Sequence, residues 1–147
     1  MKHHLLLIIH LLAASVWVGG HLLLSLRYLP KAMKYKDPSI IRKFEEGYEI
    51  LGLPALLVLV ASGIWMACDY GITPSQWFHF ASPIETVVST KLSLLLFTLI
   101  LAIHARLFII PKLNTQNLQQ MAWHIAMITF VAVTMLVLGT FVRFGGL

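Results

Sequence analysis

The chain has 147 residues, of which 59% are hydrophobic and 12% charged, with a formal net charge of +5. Its mean hydropathy is +0.83, while a soluble domain carries about a quarter charged residues, so an ordinary water-soluble domain is excluded. The positive charge gathers beside an apolar stretch, which speaks for a membrane surface and against nucleic-acid binding.

Four apolar stretches follow in chain order, at about residues 5–26, 48–67, 87–110 and 121–142. Each is close to the ~20 residues that cross a bilayer core as a helix. Met1-Lys2-His3-His4 before the first stretch, with Ala13-Ala14-Ser15 inside it, resembles a signal peptide. The apolar run continues through Trp17 to Leu26, longer than a signal core, so it reads as a retained span.

The first loop holds Arg27, Lys31, Lys34, Lys36, Arg42 and Lys43. Within it, Asp37-Pro38 reads as an N-cap with proline in the first turn, so a helix is expected to start there and run on into span two. Pro54 is expected to kink that span, because it lacks the N–H of the helix ladder. The second loop, Cys68 to Thr86, has no Lys or Arg. Thr73-Pro74 followed by Trp77, Phe78 and Phe80 predicts a short interfacial helix with aromatics at head-group level. Ser82-Pro83-Ile84-Glu85 matches a capping box and places the start of span three. Arg106 and Lys112 close that span.

The predicted fold is all-α: an integral-membrane antiparallel four-helix bundle forming a single domain over residues 1–147. The positive-inside rule puts loops one and three in the cytoplasm and both termini outside, in a bacterial inner membrane. Lys2 and Arg143 weigh weakly against that orientation. The single Cys68 excludes an internal disulfide and a Cys-x-x-Cys metal site.

Ionisable groups inside a membrane are costly and mark candidate sites. His10, His21, His104 and His124 lie in or at the edges of the spans, and histidine is the usual ligand of metals and haem iron. His10 and His21 are 11 residues apart, within about 20° of one helical face and roughly 16 Å apart along it. Trp17 lies on the same stripe, with Ala13, Ala14 and Gly20 leaving room for a helix or a flat cofactor. His124 and Met135 repeat the spacing of 11 on span four. In an antiparallel bundle His21 and His124 share one depth, and His10 and Met135 the other. Bis-His and His/Met pairs both ligate haem iron. His104 lies at the depth of His21 and His124, so three histidines there are also compatible with a metal site. The plainer alternatives are an interfacial histidine bonded to a carbonyl, and Met135 as packing. Lys91 either snorkels to the interface or meets a haem propionate or anionic substrate. Glu45, Glu46 and Glu49 cluster where span two enters the membrane, with Arg42 and Arg106 as ion-pair partners.

The segment from His10 through Trp17 to Gly20 resembles the opening span of the copper-resistance D (CopD) family. Lys91-Leu92, Arg106 and Pro111-Lys112-Leu113 resemble the third span of that family and its end. The resemblance implies copper tolerance or uptake at the inner membrane. The first span is also similar to that of the HemJ-type protoporphyrinogen oxidases, small four-helix haem b proteins, which implies His10 as a haem ligand. The sequence leads to a redox or metal-handling protein. Its first form holds haem b on transmembrane histidines and passes electrons between a quinone or respiratory partner and the centre. The alternatives are CopD-like copper transport or tolerance, porphyrin oxidation, and a structural subunit. Homo-oligomerisation is compatible with all of them.

Overall fold

A computed structural model describes residues 2–146. The side chains of Lys2 and Arg143, which weigh on the expected orientation, lie outside the described residues. Helix α1 (Lys2–Leu23) passes through a π-helical turn (Leu24–Tyr28) into α2 (Leu29–Tyr35), and together they form span one. Helix α3 (Ser39–Asp69) is span two. Helix α4 (Pro83–His104), a second π turn (Ala105–Ile109) and a 3₁₀ turn (Ile110–Lys112) make span three. Helix α5 (Leu118–Arg143) is span four. All four are long and apolar enough to cross a membrane. The expected all-α four-span bundle is therefore the fold.

Each helix outruns its apolar stretch at the end where the basic loops lie, here called the basic end. Span one stops at Lys36, which takes a left-handed conformation (φ 50°) and donates its N–H to the carbonyls of Ala32 and Met33. The Asp37 carboxylate accepts the Ser39 N–H at 2.9 Å and so opens span two. Asp37 thus does the capping, although the helix itself starts two residues later, at Ser39. Hydrogen bonds from the Ser39 side chain and backbone hold the Asp37 carboxyl below its ordinary value of 3.8. So tight a turn forces spans one and two to run antiparallel and adjacent. Span two continues as one helix through Pro54 to Asp69.

The other end is built by the second loop. Ser82 caps span three by accepting the Glu85 N–H, with Pro83 in the first turn, as expected. The Glu85 carboxylate does not complete the box. It accepts from Ala81 N and Gln76 Nε2 instead, tying the loop to the helix. The expected interfacial helix is absent. Only Pro74–Gln76 form a 3₁₀ turn, and Trp77, Phe78 and Phe80 follow in non-helical backbone. Phe78 and Phe80 have positive φ (68° and 56°), and Phe78 N bonds Ser89 Oγ at 3.1 Å. Anchoring to Ser89 and Glu85 outweighs the helical preference of so short a segment.

Around the bundle, span one packs on spans two and four, and span four packs on span three. Spans two and three have no comparable backbone packing, so the ring is open at one seam. The core is densest at the basic end, where Ile41 and Ala32 are fully buried with Leu24, Ile109, Met121 and Ile125. A second cluster at mid-depth holds Trp17, Val18, Ala55 and Ala132.

Candidate functional site

The open seam leads into a cleft of about 410 Å³. Its walls are Gly52, Leu53 and Leu56 of span two and Leu99, Ala102 and Ile103 of span three. Spans one and four supply the floor, with Trp17 and His21 from one and Met121 and His124 from the other. Arg106 of span three and Glu49 of span two close the basic end with an ion pair at 2.8 Å. This is one of the pairings the charge pattern allowed for. Arg42 instead donates to the carbonyl of Leu113, at 3.1 Å.

His104 and His124 come together at the basic end. His104 Nδ1 lies 3.0 Å from His124 Nε2, and the rings are nearly parallel, 13° apart. His124 Nδ1 lies 3.0 Å from the carbonyl oxygen of Gln120, one turn back on the same helix. A carbonyl only accepts, so His124 Nδ1 carries the proton and its Nε2 presents a lone pair. That lone pair faces His104. Fixing one ring nitrogen so that the other can act as a donor atom is how proteins prepare histidine ligands.

His21 has a different setting. Its ring meets Trp17 edge-on at 4.8 Å and Tyr48 at 6.0 Å between centroids. It lines the cleft together with His124. A bis-histidine haem would need a free nitrogen on each ring. The contacts to His104 and Gln120 occupy both nitrogens of His124, so such a ligation first requires the His104 contact to open.

His10 sits towards the other end of span one. Its Nδ1 is 2.8 Å from Ser62 Oγ of span two, whose own proton goes to the Val58 carbonyl. Gly63 packs on the same ring. Lys91 is half-buried and turns its ammonium towards Gly139 of span four. Met135 is half-buried on span four, one more turn towards its middle. At that surface, His3 meets Asp69 at 3.4 Å and Tyr70 edge-on. Among the described residues, no three His, Cys, Asp or Glu side chains form a group that holds a metal ion.

Three residues around the site were not singled out by the sequence. Tyr48 donates to the carbonyls of Trp17 and Val16 at 3.0 and 3.2 Å and lies under His21. Its spacing of four from Phe44 and from Gly52 was the available signal. Gln120 stands four residues before His124, where a helix always offers a carbonyl. Ser62 had no such signal, because its partner lies on another span.

Residues 42–142, more than half of the chain, match a family model described as Copper resistance protein D (CopD). The matched part includes Lys91, Arg106 and both histidines of the basic-end pair, and begins after the His10–Gly20 segment of span one. No curated protein and no solved structure matches the chain. With four spans and this match, the chain belongs to the copper resistance protein D family and is a multi-pass membrane protein.

Proposed function

We propose that the protein handles copper in the bacterial inner membrane and holds the ion, as its cargo, between His104 and His124. The observation behind this is the facing pair of ring nitrogens at 3.0 Å, one of them fixed as a lone-pair donor by Gln120. Imidazole suits copper. Two ligands fit Cu(I), which accepts two in line, better than zinc, which takes four. With metal–nitrogen bonds of about 2 Å, the rings must part by roughly 1 Å, and the His104 proton must move from Nδ1 to Nε2. His104 is exposed and ends α4 next to a π turn, where such a shift meets little resistance. Loops one and three face the cytoplasm by their charge, so the ion is held near the cytoplasmic surface and both termini lie outside.

Copper analysis of the detergent-purified protein, with competition by a Cu(I) chelator, tests this. Wild type should hold one copper, and His104→Ala with His124→Ala should lower its affinity at least tenfold. Equal retention by the double variant sinks the idea.

A redox form of the same role has a b-type haem in the cleft passing electrons to a respiratory partner. It draws on His21 and His124 lining one cavity. It ranks second, because His124 Nε2 faces His104 and not His21. Its signature is a dithionite-reduced b-type α band lost in His21→Leu.

A further inference from the structure

The floor of the cleft presents two hydrogen-bond donors without acceptors. Neither the His21 ring nor the Trp17 indole hydrogen-bonds to any described residue. Among the described residues, the one sealed-off unpartnered side-chain nitrogen is Trp77 Nε1. Neither the Trp17 nor the His21 nitrogens are among those sealed off, and both residues line the cleft. They stand four residues apart on span one, about one helical turn, with rings 4.8 Å apart.

We propose that this cleft binds the head group of a quinone, taken sideways from the bilayer through the seam between spans two and three. The walls are aliphatic, and the wall residues Leu53, Ala102 and Ile103 are exposed where the seam meets lipid. A cavity of about 410 Å³ with a few convergent polar groups is the usual form of a small-ligand site. Either donor suits a carbonyl oxygen of such a ring. A prenyl tail leaves through the seam into lipid, where it costs no burial of polar groups.

The charges at the mouth select a neutral head. Arg106 is the cation lining the cleft, and Glu49 already neutralises it at 2.8 Å. Glu45 lines the same end. A phospholipid phosphate or a haem propionate placed there meets two carboxylates and one spent guanidinium. A quinone meets no such repulsion. The copper ligand His124 also lines this cleft, but the two donors, Trp17 and His21, are not ligands of the proposed copper, so removing them tests the quinone separately.

The test uses the full chain in nanodiscs, with decylubiquinone as the probe and tryptophan fluorescence quenching as the readout. Wild type should quench saturably. His21→Leu should weaken binding about five- to tenfold. Ala102→Phe, an exposed position that fills the lateral opening without touching the core, should weaken it as much, so the result does not hang on one variant's folding. Trp123→Phe, outside the cleft, should leave it unchanged. Unsaturable quenching, or quenching indifferent to both cleft variants, overturns the proposal. So does equal displacement by phosphatidylglycerol, which makes the cleft a lipid groove, or a co-purifying haem lost in His21→Leu. Copper retention measured on the same samples should survive His21→Leu and Ala102→Phe. A failure of the quinone site is thereby told apart from a failure of the copper site.

Discussion

Span two takes part in two seams of opposite character. Against span one it is closed: Gly20 and Gly52 leave room for the Tyr48 ring, and its hydroxyl reaches two span-one carbonyls. Against span three it is open, walled by Leu53, Leu56, Leu99 and Ile103 and held at the basic end by the Arg106–Glu49 pair. In a bilayer, apolar side chains gain little by meeting each other, because lipid tails are equally apolar. Helices close where small residues and polar groups allow backbone approach, and stay apart where bulky aliphatics face each other. The open seam is thus the predictable result of its residues, and it is where a ligand finds room.

The largest expected effect comes from breaking the closed seam. A side chain on Gly20 overlaps the Tyr48 ring, whereas nothing lies within 4 Å of the corresponding space at Gly19. Gly20→Leu should destabilise the protein by about 3 kcal/mol, and Gly19→Leu should be near neutral. Thermal unfolding of the two variants in one detergent measures the difference. Equal melting would mean that Tyr48 does not key the seam.

Removing only the Tyr48 hydroxyl is a gentler break. Tyr48→Phe keeps the ring, including its stacking on Phe44 at 5.5 Å, and loses both bonds to span one. A cost of about 1 kcal/mol is expected, seen as a lower melting temperature with unchanged helix content.

The smallest effect on stability belongs to the open seam. The Arg106–Glu49 pair is 56% and 43% exposed, and exposed ion pairs contribute about 0–1 kcal/mol. Glu49→Gln should hardly move the melting point. It should, however, widen the distance distribution between spin labels at Leu57 and Ile100, which lie on the two sides of the seam. An unchanged distribution would show that the seam is held open or shut by packing alone.

Much of the fold was legible in the sequence. Length and apolarity set four spans, Ser82 and Pro83 marked the start of span three, and the basic loops identified one end. The expected loop-two helix failed because Ser89, eleven residues beyond Phe78, and Glu85, four beyond Ala81, bind backbone that local propensity would have coiled. Site residues were legible as types but not as partners. Equal depth grouped His21, His104 and His124, and two of them do meet. Depth alone could not say which two, because that depends on rotation of the helices about their axes.

The sequence by itself determined the number of spans, the basic end, the caps and the presence of histidines at costly depths. These follow from local composition and from the ~20-residue thickness of the bilayer core. Tertiary structure alone decided that His124 faces His104, that His10 bonds Ser62, and that Trp17 and His21 line a cleft. The physical reason lies in helix packing within lipid. With hydrophobicity uniform around each span, no strong apolar stripe sets rotation, and a few glycines, hydroxyls and one tyrosine do so instead.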